Sequence, residues 1–249
     1  MSDMQLASAS RFGVLYEKAY GAICGRHPNF RGWHFHWLAV KDLYHDLQTV
    51  LPQLRGRVLD VGCGDKPYSV WMTGVQEHVG ADVAPGAHVD VVITPGQPWP
   101  FESATFDAVV CTQVMEHAQD LSNVIAEMHR VLVPGGTLLV TVPFAYNEHG
   151  APADYRRFSV HGVRDLFAGD YELLQLKPQG GIGSTAGLLL LNWAEASLNA
   201  SRGTRLIKGV LLPFWVVSCA LVNMVGWAFD KVDRTGAFYS NVLLMARKN

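Results

Sequence analysis

Hydrophobic positions along the chain switch between two periods. Over residues 34–51 (HFHWLAVKDLYHDLQTVL) they recur at helical spacing and stop at Pro52, which predicts a helix ending there. The pattern then shortens to compact apolar runs. Residues 57–61 (RVLDV) predict a buried strand, followed by strands near 77–82, at 89–93 (VDVVI) and at 106–111 (FDAVVC). A helix is expected from about 121 to 132, a turn at Pro134-Gly135-Gly136, and a fifth strand over TLLVTVPF from Thr137. A helix near 160–168 and a strand near 170–177 come next. Residues 186–229 read as helical, and 237–246 (AFYSNVLLMA) as a last strand.

Strands that alternate with helices predict an α/β fold: a Rossmann-like, seven-stranded, mostly parallel sheet with helices on both faces. An apolar helical insertion precedes the last strand. The expected division is an N-terminal helical cap over 1–54, a core over 55–185, the insertion over 186–236, and the returning strand over 237–249.

Composition narrows the class. With 49% hydrophobic and 17% charged residues, a large core is affordable and global disorder is excluded. A net charge of −2 without a long basic run argues against a nucleic-acid partner held through phosphates. Cys24, Cys63, Cys111 and Cys219 are scattered, with neither CxxC nor zinc spacing, so a reduced cytoplasmic setting is expected. No metal cluster is visible in the spacing. The opening MSDMQLASASRFG lacks the basic-then-apolar order of a signal peptide.

The stretch Gly209–Phe229 (GVLLPFWVVSCALVNMVGWAF) is uncharged and long enough to cross a bilayer, which takes about 20 residues. A single crossing would carry the last strand away from the sheet it must join, and Pro213 and Asn223 weaken a plain spanning helix. Two readings stay open for 186–229. They form buried or lid helices that close a site or build a homodimer face. Otherwise they lie in the plane of the inner membrane face, with Arg202, Arg205 and Lys208 near headgroups and Trp193, Trp215 and Trp227 at the interface.

The chemistry concentrates at RVLDVGCGDKP. A glycine-rich turn after a buried strand lets backbone approach a ligand closely, and open α/β sheets bind ligands beyond the carboxyl ends of their strands. A dinucleotide site wants GxGxxG with pyrophosphate at the following helix. Here Lys66 and Pro67 stand where the third glycine would come, and Asp65 sits where pyrophosphate charge should go. Pro67 is expected to open the next helix. Asp60 suits a cationic ligand such as S-adenosylmethionine, and Asp82 at the end of the second strand can bond ribose hydroxyls.

RVLDVGCGD, ADV at 81–83, FDAVVCTQVMEH at 106–117 and VLVPGGTLLVTVPF at 131–144 together resemble the class I S-adenosylmethionine-dependent methyltransferases, over roughly residues 55–177. The resemblance implies S-adenosylmethionine as cofactor. It implies Asp60, Gly62, Cys63 and Gly64 around the methionine part, Asp82 and Val83 at the ribose, and Gln113 and Val114 near the methyl group. The family's acidic partner for the adenine amine is missing, and Gln97 in ITPGQPWPF stands in its region.

On the acceptor side, a hydroxyl nucleophile benefits from a general base. His149, in the loop after the fifth strand, is the first candidate and His117 the second. Tyr146, Tyr155 and Arg156 are candidate acceptor-binding residues, offering aromatic faces and a planar donor fork. The stretch PFAYNEHGAPADYRRF is similar to methyltransferases of bacterial surface-glycan and glycolipid biosynthesis, which implies a saccharide or lipid-linked acceptor. A small aromatic or quinone-like acceptor is the alternative. From another class, a non-catalytic cofactor-binding scaffold also stays open.

Overall fold

A computed structural model describes residues 11–249; the first ten residues of the expected cap lie outside that range. The elements are α1 (Arg11–Cys24), α2 (Trp37–Val50), β1 (Gly56–Val61), β2 (Val75–Asp82), β3 (Val91–Val92), β4 (Phe106–Thr112), α3 (Leu121–Val131), β5 (Leu132–Pro143), α4 (Val160–Phe167), β6 (Tyr171–Gln179), α5 (Ile182–Asn199), α6 (Arg202–Val210), α7 (Leu212–Val232) and β7 (Asn241–Lys248). They divide into two compact units: residues up to Val40 together with Ile182–Asp233, and Lys41–Gly181 together with Arg234–Asn249.

The second unit holds one seven-stranded sheet in the order β3-β2-β1-β4-β5-β7-β6. Strands β1 to β5 run parallel, and β7 is antiparallel to both its neighbours. The central strands carry continuous apolar runs because both their faces are covered. Leu59, Val109, Val110, Leu138 and Val140 are fully or almost fully buried, each contributing on the order of 1.5–3 kcal/mol of transfer free energy. The order reverses direction between β1 and β4, so the carboxyl ends of those strands frame the crevice where ligands of such sheets bind.

Several expectations are corrected in detail. No α-helix follows β1. Lys66 N–H donates to the Cys63 carbonyl and Ser69 N–H to the Lys66 carbonyl, so the chain runs through successive turns into a short 3-10 turn at Ser69–Trp71, and Pro67 opens no helix. Pro134-Gly135-Gly136 does not separate helix from strand but bulges within β5: Phe106 pairs with Leu132, whereas Ala108 pairs with Thr137. The third strand is only Val91–Val92, and the last begins at Asn241 rather than 237.

Strand β7 is inserted between β5 and β6, and Gln179 pairs with Asn241. The chain therefore leaves the sheet at one rung and returns to the same rung after its three helices, as the last strand's pairing requires. Within this unit Asp46 of α2 accepts hydrogen bonds from Lys177 Nζ and Gln179 Nε2, both at 2.7 Å, tying α2 to the end of β6.

In the helical unit, the helical stretch expected over 186–229 is three helices rather than two. A Ser201–Thr204 capping box starts α6, and Pro213 sits in the first turn of α7, where its missing N–H costs little. Helices α5 and α7 meet at Gly183 and Gly226; a Cβ on Gly183 would lie 1.9 Å from the Gly226 carbonyl oxygen, so only glycine permits this approach. Asp230 and Asp233, at the end of α7, accept from the backbone N–H groups of Ser184 and Ile182 and so satisfy the start of α5. Asn223 is buried and donates to the carbonyls of Gly32 and His34, both at 2.9 Å, which gives this polar residue a packing reason inside an apolar helix. Lys208, which the membrane-surface reading puts near headgroups, is buried on Glu195 at 2.7 Å and Asn199 at 2.9 Å, because a charge on the inner side of α6 needs an internal partner.

Candidate functional site

The turn after β1 is assembled by its neighbours. The backbone N–H groups of Gly62 and Cys63 both donate to the Ala81 carbonyl, at 2.8 and 3.2 Å, binding the turn to β2. Gly62 has φ +66°, and a Cβ there would lie 2.3 Å from Val114 Cγ2; Val114 packs directly over it from the end of β4. Gly64 differs. Its φ is +50°, but a Cβ would meet nothing within 4 Å, so this glycine borders open space. Backbone exposed there, without a side chain, is a surface a ligand can lie against.

Three acidic groups surround the turn. Asp60 is 2% exposed and its Oδ2 lies 3.1 Å from His78 Nε2. Burial pushes the Asp60 carboxyl up, opposed by His78. Asp82 accepts from Gly64 N–H at 3.0 Å through one oxygen and from Ala84 N–H at 3.2 Å through the other, so each oxygen retains a lone pair for a further donor. Val83 beside it is a strongly exposed apolar side chain. Asp65 is exposed.

Lys66 is explained by its contacts. Held at φ +49°, it sends Nζ to Asp90 at 2.5 Å and to the His78 carbonyl at 3.0 Å. It is a strut between the turn and the end of the β2 region rather than a failed glycine. Cys63 is buried beside it, and burial raises its thiol to about 12, so this cysteine is inert packing at neutral pH. Gln97 lies on an exposed turn closed by its own N–H on the Thr94 carbonyl.

At the end of β4, Gln113 is a non-glycine residue at φ +56°, held by its N–H on the Thr141 carbonyl at 2.8 Å and its side-chain amide on Thr141 Oγ1 at 3.3 Å. Such a conformation costs on the order of 1–3 kcal/mol and persists where surroundings enforce it, commonly at ligand sites. The chain then passes Val114 into a 3-10 turn, Met115–His117.

Here the second half of the site begins. Glu116 is fully buried, and burial raises its carboxyl to about 7. His117 Nδ1 lies 2.5 Å from the Ala153 carbonyl, and its Nε2 lies 3.8 Å from Glu116 Oε1. The His117 and His149 rings meet edge-to-face with centroids 4.8 Å apart, and Tyr146 lies 5.0 Å from His149 on the other side. His149 is lowered by burial, with Asp154 opposing. The structure thus brings the two histidine candidates together with Tyr146.

It gives Arg156 a local role: its guanidinium donates to the carbonyls of Ala118 and, at 3.0 Å, Gln119. Tyr155 anchors through its backbone N–H on the Glu116 carbonyl at 2.9 Å and leaves its ring exposed. Arg157, next to Arg156, organises the loop. It grips Asp154 bidentately at 2.5 and 2.7 Å and also donates to the carbonyls of Tyr146 and Asn147. The Arg157 guanidinium holds the Asp154 carboxyl well below the usual carboxylate range. Asp154 also accepts His149 N–H at 2.8 Å. Because the folded-state value lies below the unfolded one of about 3.9, this pair stabilises the fold at neutral pH and the contribution is lost as pH falls through the acid range. Asp154→Asn should therefore lower stability at pH 7 and flatten its decline below about pH 4, checked by urea denaturation across pH. An unchanged acid profile would contradict the pairing.

Known proteins share the sheet that carries these residues. Residues 59–140, from β1 into β5, match the methyltransferase domain family. An uncharacterized protein of Methanocaldococcus jannaschii is 29% identical over 98 residues, 39% of this chain. That match covers 48% of the relative, so the chain spans about half the length of the curated protein it matches. Among solved structures, the cyclase SpnF (19% identity, TM-score 0.53) matches across 82% of this chain and 80% of its own. The MccD protein (12%, TM-score 0.54) matches across 83% and 97%. An S-adenosylmethionine dependent methyltransferase from Mesorhizobium loti (13%, TM-score 0.51) matches across 85% and 100%.

At these identities the structures establish the fold. The sheet shares the fold of these structures, and residues 59–140 within it are similar to the methyltransferase domain family.

Proposed function

We propose that the protein transfers a methyl group from S-adenosylmethionine to an oxygen of a saccharide or lipid-linked glycan. The observation that carries the cofactor half is the turn itself: open backbone at Gly64 flanked by Asp60 and Asp82, with no α-helix N-terminus to receive a pyrophosphate. A buried carboxylate whose neighbourhood raises its pKa is stabilised by a cation, which S-adenosylmethionine provides.

The residues present fit that ligand. Asp60 would hold its ammonium group, the spare lone pairs of Asp82 would take ribose hydroxyls, and Val83 would lie against the adenine with Gln97 as a partner for its amine. Gln113 and Val114, fixed at the end of β4, would border the methyl group. When bound, S-adenosylmethionine supplies an electrophilic methyl on a sulfonium. The chain contributes proximity and alignment. His149, with His117 against its ring, is placed to accept the proton of an acceptor hydroxyl.

The saccharide reading is supported by the loop at 146–158, where aromatic faces and carbonyl-anchored arginines surround the histidines. The helical unit favours a lipid-linked acceptor. Helix α7 is long and apolar enough to cross a membrane by length and composition, and Phe214, Val217, Leu221 and Trp227 on it are exposed, as is Trp193 on α5. We read these helices as lying in a membrane surface, with Arg202 and Arg205 toward headgroups.

Incubation with methyl-labelled S-adenosylmethionine and glycolipid extracts presented in anionic vesicles is expected to label the glycolipid fraction. Labelling confined to quinone-like or small aromatic compounds would shift the acceptor to that class. Labelling of neither, with cofactor bound, would favour a binding scaffold.

A further inference from the structure

Glu116, His117 and His149 form a cluster with features of their own. One ligand atom from each lies within 4.8 Å of those of the other two. Glu116 is fully buried, and neither of its carboxylate oxygens has a hydrogen-bond partner. Burying a carboxylate without a partner is costly, and native interiors keep such a group where something completes it. The guanidinium of Arg157 is committed to Asp154.

The histidines are held as metal ligands are held. His117 Nδ1 is bound to the Ala153 carbonyl, which leaves Nε2 as the lone-pair nitrogen on the side of Glu116. His149 Nδ1 lies 3.3 Å from the Asn147 carbonyl and 3.4 Å from Asp154 Oδ2, which likewise leaves Nε2 to ligate. A carboxylate or carbonyl behind each imidazole fixes the tautomer and raises ligand basicity. Gly150, at φ +69°, lets the loop lie on His117; a Cβ there would be 3.3 Å from His117 Cε1.

We propose that Glu116, His117 and His149 bind one divalent transition-metal ion, in the first instance Zn2+. Two imidazoles and a carboxylate are borderline ligands suited to zinc, and three protein ligands leave a coordination position open, as catalytic rather than structural zinc sites do. Metal–ligand bonds of about 2.0–2.2 Å bring ligand atoms closer than 4.8 Å, so small shifts of the three side chains would accompany binding. The role of the ion rests on the methyltransferase reading: the open position takes the acceptor hydroxyl oxygen, whose proton becomes more acidic and passes to solvent. His117 and His149 are then ligands rather than bases. The binding of the ion does not depend on that reading.

The test is a titration of chelator-treated full-length protein with Co2+, followed by its visible absorption, and with Zn2+ by calorimetry. One ion per chain is expected. Glu116→Gln, which keeps shape and volume, should weaken binding by about 100-fold, and His149→Ala by a comparable factor. His161→Ala, on the exposed face of α4, should bind as the native chain does. Near-UV circular dichroism confirms that each variant is folded. Absence of a cobalt spectrum, or Glu116→Gln binding like the native protein, would overturn the site. S-adenosylmethionine binding measured on the same samples separates the two proposals: metal bound without cofactor would refute the methyltransferase reading alone, and cofactor bound without metal would refute the site alone.

Discussion

Asp60→Ala is expected to reduce affinity for S-adenosylmethionine by about 100-fold or more while leaving the protein folded. The carboxylate sits at the end of β1 and is almost wholly buried. Its contact with His78 accounts for one oxygen only. Hydrogen bonds to charged groups are worth about 1.5–3 kcal/mol, and in the proposed site losing the Asp60 carboxylate would also remove a Coulomb partner of the ligand's ammonium. Stability should change much less, because the substitution removes the cost of burying a charge along with the His78 bond. Asp60→Asn separates the effects: it keeps a hydrogen bond to His78 but not the charge, and should still lose about 10-fold in affinity. Calorimetric titration of the two variants is the check, and native affinity in either would remove Asp60 from the cofactor site.

The second large effect is a contrast between two glycines two residues apart. Gly62→Ala should destabilise the fold by about 2–4 kcal/mol. It combines a left-handed backbone, costing about 1–2 kcal/mol, with overpacking against Val114 of about 1–3 kcal/mol. Gly64→Ala incurs only the backbone cost, since its Cβ would enter open space. That space is where the proposed cofactor would lie, so Gly64→Ala should keep a melting temperature within several degrees of native and lose at least about 10-fold in cofactor affinity. Thermal unfolding and titration measured side by side decide it. A stable Gly62→Ala, or a Gly64→Ala that binds normally, would contradict the arrangement of the turn.

Much of the fold was legible in the sequence because buried parallel strands carry continuous apolar runs. VLDV, DAVVC and LLVTV could hardly be anything else. The glycine turn was legible too, since Gly62, Gly64 and their flanking aspartates are adjacent in the chain. What could not be read were long-range pairings. Lys66 was visible only as a missing glycine, and its partner Asp90 lies 24 residues away. Neighbouring positions of a helix would point Glu116 and His117 apart, yet a tight 3-10 turn brings their side chains within 3.8 Å. His149 reaches that cluster from another strand end, which no spacing rule reports. Lys208 illustrates the reverse error: a basic residue beside an apolar run suggested a headgroup, but only the three-dimensional packing shows Glu195 waiting for it.

The most direct measurement is calorimetric titration of the native protein with S-adenosylmethionine, its demethylated product, and NAD. One site per chain is expected for the first two, with dissociation constants of about 1 mM or tighter, and no saturable binding for NAD. Saturable NAD binding, or no binding of either sulfur ligand, would contradict the assignment of the Asp60–Gly64 turn.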